Sequence, residues 1–289
     1  MERQKKCLVC NSDQSSKYLV CNDYLVSNEN FELVQCSKCG FVYTNPRPAM
    51  ADIAPYYQSE DYYSHSDQNK SIISAIYNFI RTLNIKNKLS LVQSVAKRKG
   101  KLLDYGCGAG LFVRSASDNG WIAEGIEPSK DARLVAEKLG SKVQAPEAIN
   151  SLTEGSFDVI TLWHVLEHLH DINSVIPKLK ALLAKEGTLV IAVPNLNSWD
   201  AIWYKEKWAA FDVPRHLYHF SQDSIQKLFE NFGMRVVNSY PMKFDAYYVS
   251  LLSENKSIFA YPRAILSGLR SNSKARRNGE YSSLIYIIK

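Results

Sequence analysis

The 289-residue chain contains no apolar run of about 18 residues or more, so no stretch of it is long enough to cross a bilayer as a helix. It also lacks the apolar core of a secretion signal, because Met1-Glu2-Arg3-Gln4-Lys5-Lys6 leads straight to Cys7. A cytoplasmic location is therefore expected, where thiols stay reduced and closely spaced cysteines hold metal more often than they form disulfides. Neither sign of charge dominates: 35 Lys and Arg stand against 29 Asp and Glu, a net charge of +6. The surplus gathers after Glu254, where Lys256, Arg263, Arg270, Lys274, Arg276, Arg277 and Lys289 face only Glu254 and Glu280. That end can favour an anionic partner or a weak peripheral contact with an acidic membrane surface; a solvated basic face is the plainer alternative. With 46% hydrophobic and 22% charged residues, the chain has the composition of a folded protein with room for one α/β core and a modest extra module.

Four of the six cysteines form two pairs, Cys7-Leu8-Val9-Cys10 and Cys36-Ser37-Lys38-Cys39, the second followed by Gly40. A two-residue gap lets both thiolates turn towards one ion, and two such pairs supply the four sulfurs of a tetrahedral zinc site. With every position taken by sulfur, none is left for water, so a structural zinc held by Cys7, Cys10, Cys36 and Cys39 is expected. Cys21 has no evident partner. A tyrosine-rich stretch follows, Tyr56 to His65, with Tyr57, Tyr62, Tyr63 and His65 as candidates for a lid. Ile72, Ile76, Phe79, Ile80 and Leu83 then recur at helical spacing, predicting one or two amphipathic helices up to Lys99. The divisions that follow are a zinc-binding module over 1–48, a tyrosine-rich lid segment with helices over 49–99, and a catalytic domain over 100–289.

Lys101-Leu102-Leu103-Asp104-Tyr105 is a short apolar run met at once by Gly106-Cys107-Gly108-Ala109-Gly110 and a helical stretch to Asn119. Strand, glycine turn and helix make the nucleotide-binding unit of doubly wound folds. A dinucleotide fingerprint needs its third glycine at 111, where Leu111 stands, and that absence counts against an NAD-dependent oxidoreductase. A second strand from Trp121 ends in Glu127-Pro128-Ser129, placing a carboxylate where ribose hydroxyls are gripped. Further strands are predicted at 142–144, 157–162, 188–193, 235–240 and 281–288. The fold class is α/β, a doubly wound, Rossmann-like, mostly parallel seven-stranded sheet with a small N-terminal zinc-binding module.

Taken together, Leu-Leu-Asp-Tyr-Gly-Cys-Gly-Ala-Gly, the Glu-Pro-Ser after the second strand, Phe-Asp-Val-Ile before Val-Leu-Glu-His, and Glu-Gly-Thr-Leu-Val-Ile-Ala-Val-Pro-Asn resemble class I S-adenosylmethionine (SAM)-dependent methyltransferases over 101–289. The resemblance implies SAM as cofactor. It places Gly106, Gly108 and Gly110 along the methionine part, Asp104 towards the amino group, Glu127 on the ribose, and Ala145 and Trp163 beside the adenine and sulfonium. Tyr63 joins this set from the lid.

Methyl transfer from a sulfonium is an in-line displacement that needs alignment, and a base when the acceptor carries a proton. His216, His168 and His164, in that order, are the candidates. His164-Val165-Leu166-Glu167-His168 matches the inverted zinc-protease string by letter and resembles the metal motif of small-RNA 2′-O-methyltransferases, with His164 in place of the first Glu. Alternatively Glu167 and His168 brace the loop. Asp212 to Ser221 resembles a segment of sugar C-methyltransferases, which also carry an N-terminal four-cysteine zinc domain, and His216 falls at their proposed base. Arg215 is free in this reading to neutralise an acceptor phosphate or carboxylate. The function expected is methyl transfer to a small polar acceptor, a sugar or related metabolite. The alternatives are an RNA methyltransferase and a non-catalytic SAM-binding interaction protein. The chain lacks the Asn-Pro-Pro-Tyr of amino-directed nucleic-acid enzymes after its fourth strand and has no spare cysteine placed as a base-methylating nucleophile, so nucleic acid is not the expected partner.

Overall fold

The computed structural model describes residues 1–58, 72–254 and 259–289. Tyr62, Tyr63 and His65 lie outside them. The chain begins with a ribbon of β1 (Ser15–Asn22), β2 (Asn30–Cys36) and β3 (Val42–Thr44). A 24-residue helix, α1 (Ile72–Val95), precedes β4 (Lys101–Tyr105), α2 (Leu111–Asp118), β5 (Ile122–Ile126), α3 (Lys130–Lys138) and β6 (Val143–Gln144). Then come β7 (Phe157–Trp163), α4 (Ile172–Leu182), β8 (Leu183–Pro194), α5 (Trp199–Tyr204), β9 (Tyr218–His219) and α6 (Gln222–Glu230). β10 (Val236–Pro241), α7 (Asp245–Ser253), α8 (Ala260–Asn278) and β11 (Ser283–Ile288) complete it.

Seven strands form a sheet in the order β10-β11-β8-β7-β4-β5-β6. β4 pairs in parallel with both β5 and β7, and β5 with β6. The predicted doubly wound α/β fold is the observed one. Chain order reverses beside β4: β5 and β6 extend to one side, β7 and β8 to the other. That switch is where open α/β sheets leave a crevice at their strand ends. The central strands are buried on both faces, as near-continuous apolar runs such as Leu189–Val193 require. Caps set the helix starts: Ser129 Oγ accepts from Ala132 N, and Ser221 and Ser224 form a reciprocal capping box on α6.

The chain divides into two compact units: Met1–His65, Leu166–His170 and Ala192–Tyr286 in the first, and Ser66–Val165, Asp171–Ile191 and Ile287–Lys289 in the second. This partition follows contacts and not the sequence divisions after residues 48 and 99. Within the first unit the cysteine ribbon is no free-standing module. β9, from the segment after β8, pairs antiparallel with β3 and extends the ribbon to four strands. Cys21, Phe31, Leu33 and Val42 of the ribbon share one apolar core with Ala201, Trp208, Ala210, Phe211 and Val213. The unpaired Cys21 of the sequence is thus a core residue, and burial pushes its thiol up to about 12.

Among the described residues no helix is long and apolar enough to cross a membrane. On α8, Tyr261, Ile265, Leu266 and Leu269 are exposed, while Ala264, Ser267, Gly268 and Ser271 turn inwards.

Candidate functional site

In the second unit, the loop after β4 gives each glycine a separate task. All three adopt the left-handed region, with φ of 76° at Gly106, 54° at Gly108 and 72° at Gly110. A Cβ on Gly106 would meet Val165 Cγ2 at 2.5 Å, and one on Gly110 would meet Ala136 and Ser141 at 2.9 Å. A Cβ on Gly108 would meet nothing within 4 Å. Gly106 and Gly110 therefore let the loop pack against its own unit, and Gly108 faces open space.

Glu127 holds that loop in place. Its Oε2 accepts from Gly108 N at 2.8 Å and its Oε1 from Ser129 N at 2.8 Å. Asp104 is buried at the end of β4 and accepts from Thr161 Oγ1 at 2.6 Å. Burial pushes its carboxyl up to about 7, and the charge of Glu127 adds to this, against the Thr161 hydrogen bond and Lys88. Lys88 was not singled out in the sequence, where nothing distinguishes it from other helical lysines. Its Nζ lies 4.6 Å from the centre of the Trp163 ring, whose edge meets Phe112 with ring centres 5.5 Å apart. Trp163 Nε1 is buried with no hydrogen-bond partner among the described residues. Ala145, half-buried, opens the turn after β6. Cys107 lies under the loop, where a Cβ on Gly125 would meet its Sγ, and burial pushes its thiol up.

In the first unit, Leu166–His168 forms a 3₁₀ turn, and two bonds tie it to the loop before β9. Leu217 N donates to the Glu167 carbonyl at 2.8 Å, and His168 Nδ1 lies 3.0 Å from the Arg215 carbonyl. His168 and His216 meet edge to face with ring centres 4.5 Å apart. A carbonyl can only accept, so Nδ1 of His168 carries the proton, as does Nδ1 of His216, 2.8 Å from the Ala210 carbonyl. Both Nε2 atoms keep their lone pairs. Burial, with the nearby His216, pushes the His168 imidazole down to about 4. Tyr57 Oη also reaches His168 Nδ1 at 3.0 Å. One ligand atom each from Glu167, His168 and His216 lies within 4.8 Å of the others. His164, at φ 57° in the second unit, is not in that group.

Arg215 does not serve an acceptor. It is 2% exposed; its Nη2 reaches Asp23 Oδ1 at 3.0 Å and Asp212 Oδ1 at 2.6 Å, its Nε reaches Asp212 Oδ1 at 2.9 Å, and its Nη1 reaches the Tyr56 carbonyl at 2.8 Å. The guanidinium's donors are thus spent on a buried ion-pair network, and the sequence reading of Arg215 as an anion-binding residue is corrected.

The two cysteine pairs share one local design. Asn11 and Gly40, four residues after Cys7 and Cys36, adopt φ of 58° and 77°, and each donates its N–H at 2.9 Å to that cysteine's carbonyl. Asn tolerates this conformation better than most residues with a Cβ. The turns bring Cys7 Sγ to 3.5 Å from Cys39 Sγ, and Cys10 Sγ to 3.5 Å from Cys36 Sγ, with no disulfide between them. Sulfurs bonded at about 2.3 Å to a tetrahedral zinc lie roughly 3.8 Å apart, so the set fits such an ion.

Residues 78–239, more than half the chain, match the family described as a methyltransferase domain. A ubiquinone biosynthesis O-methyltransferase of Glaesserella parasuis is 30% identical over 131 residues, 40% of this chain and 56% of the relative. One of Ralstonia nicotianae is 32% identical over 120 residues, 38% of this chain and 50% of the relative. The chain thus spans about half the length of these relatives. A SAM-dependent methyltransferase of Archaeoglobus fulgidus superposes with a TM-score of 0.51 at 18% identity, covering 71% of this chain and 92% of the other, which is a likeness of fold.

Proposed function

We propose, from the premise that the chain belongs to the methyltransferase-domain family, that it transfers the methyl group of SAM to a small polar acceptor. The observation that carries this reading is Gly108: left-handed, with open space where a Cβ would stand, and held by Glu127 beside the buried Asp104. That combination suits a cofactor passing close to the backbone. Gly106, Gly108 and Gly110 flank the methionine part, Asp104 serves the amino group and Glu127 the ribose. Ala145 and Trp163 lie beside the adenine and the sulfonium, and the unbonded Trp163 Nε1 is a donor available to a ligand.

SAM supplies an electrophilic methyl on sulfur. As the acceptor's bond to carbon forms, the carbon–sulfur bond breaks, and the acceptor's proton passes to a base. His216 is the first candidate, because its Nδ1–H is fixed on the Ala210 carbonyl and its Nε2 lone pair is available. His168 ranks behind it, since an imidazole held near 4 is a weak base, and His164 is third. The names of the relatives favour a hydroxyl as the acceptor atom. The four-cysteine site and His216 favour a sugar-like metabolite. The ribbon cysteines hold a structural zinc in this reading. The exposed apolar row of α8, with Arg263, Arg270 and Lys274 on the same helix, supports a weak contact with anionic membrane; equal sedimentation with neutral and anionic vesicles would refute it.

Calorimetric titration of the full chain with SAM, and separately with NAD, tests the central claim. Micromolar binding of SAM alone is expected. A folded chain that binds neither would mean that the glycine loop has lost its ligand and would leave only a role as an interaction module.

A further inference from the structure

We propose that Glu167, His168 and His216 form a second metal site, separate from the four cysteines, that takes one divalent transition-metal ion through two imidazoles and one carboxylate. The sequence announces two of the three: the string from His164 to His168 holds Glu167 and His168, and in the structure the third ligand is not His164 but His216, 48 residues after His168.

Three observations carry the inference. One ligand atom from each residue lies within 4.8 Å of the other two. In a tetrahedral site with bonds of about 2.1 Å, neighbouring ligand atoms are roughly 3.4 Å apart, so the three need close by no more than roughly 1.4 Å on binding. The second observation is orientation. Both histidines place Nδ1 on backbone carbonyls, those of Arg215 and Ala210, and so present Nε2 as the lone-pair atom. Metal-binding histidines are oriented in this way, with the far nitrogen donating to a carbonyl or carboxylate. The neighbouring His219 differs, because its Nε2 is 3.1 Å from Thr44 Oγ1. The third is the carboxylate. Glu167 is 0% exposed, and its backbone carbonyl accepts from Leu217 N. Asp212 adds a further anionic atom: its Oδ2 is 3.8 Å from His216 Nε2, while its Oδ1 is bound to Arg215.

Two imidazoles with one carboxylate suit zinc, iron(II) or cobalt(II), and leave at least one position open. Calcium and magnesium, which prefer all-oxygen shells, fit poorly. In the methyl-transfer reading, an acceptor hydroxyl taken into the open position would lose its proton to solvent more readily, and His216 would serve as ligand instead of base. That role rests on the proposed function. The binding of the ion does not.

The test is cobalt loading of the purified full chain, followed by desalting and metal analysis. The wild type is expected to keep two cobalt ions per chain: one with sulfur-to-cobalt charge-transfer absorption, and one with only weak visible bands. Glu167→Gln and His216→Gln are each expected to keep one, with the sulfur band intact, which also shows that the ribbon has folded. One ion in the wild type, or two retained in both variants, overturns the site. Should a variant fail to fold, X-ray absorption of the doubly loaded wild type decides, since a second cobalt without imidazole scattering also overturns it. SAM affinity measured on the same samples separates the two proposals. A chain with two ions and no SAM binding keeps the metal site and sinks the methyl-transfer reading.

Discussion

The glycine loop and the histidine cluster are built in opposite ways. The loop is local: Asp104 to Gly110, Glu127, Thr161 and Trp163 come from three neighbouring parallel strands, in register from Asp104↔Gly125 and Asp104↔Thr161. The cluster is assembled from remote pieces. Arg215 meets Asp23 across 192 residues and Tyr56 across 159, and Tyr57 reaches His168 across 111. A local site takes its form from backbone conformation, so it tolerates change where space is open. A remote site depends on buried polar bonds, so loss of one partner strands another.

The largest effect expected from that contrast is in the remote region. Arg215→Ala leaves Asp23, 1% exposed, and the enclosed face of Asp212 without their cation. Removing one member of a buried pair costs about 3–5 kcal/mol. Denaturant unfolding should show a loss of this size; a loss below about 1 kcal/mol would mean the network behaves like a surface pair.

Next is the loop. Gly108→Arg fills the open space and should weaken SAM binding at least a hundredfold, about 2.7 kcal/mol, while the chain stays folded. Gly106→Ala should do the reverse, lowering stability because its Cβ meets Val165 at 2.5 Å. Calorimetry and thermal melts on both variants would separate the tasks of the two glycines, and equal behaviour would break the assignment. A smaller effect is expected for His216→Ala, a fall in turnover of at least tenfold with SAM affinity unchanged. An unchanged rate would remove His216 from the chemistry.

The same contrast explains what the sequence disclosed. The strand–turn–helix unit that carries Asp104, the three glycines and Glu127 was legible because its pieces follow one another in the chain, each with its own local signature. The cysteine pairs were legible for the same reason. The partners of Tyr57, which reads only as part of a lid, and of Asp212 and Lys88 were not, since a tyrosine, an aspartate and a helical lysine carry no mark of the residue they will meet. Arg215 was misread for a related reason: an arginine beside histidines looks available until Asp23, on the far side of the chain, is seen to claim it. The joining of β9 to β3 escaped because two residues, Tyr218 and His219, are too few for an alternating pattern. The long α1 and the strands around it stood where apolar spacing put them, though β8 begins five residues before the predicted Thr188.

The smallest expected effect concerns Asp104, where the local site is sensitive to pH. A carboxyl that rises to about 7 on folding binds its proton more tightly in the folded chain than in the unfolded one. It therefore contributes stability at low pH that is lost as pH climbs from the ordinary carboxylate range to about 7. Above 7 its contribution is flat. The amino group of SAM is a cation and prefers the ionised carboxylate, so SAM affinity should move the other way, rising by no more than about tenfold between pH 6 and 8. Asp104→Asn should remove that rise, while the histidine cluster and its effect on turnover stay as they were. Calorimetry at several pH values is the measurement. A variant that keeps the wild-type rise would show that the titrating group lies elsewhere than in the strand–turn–helix unit.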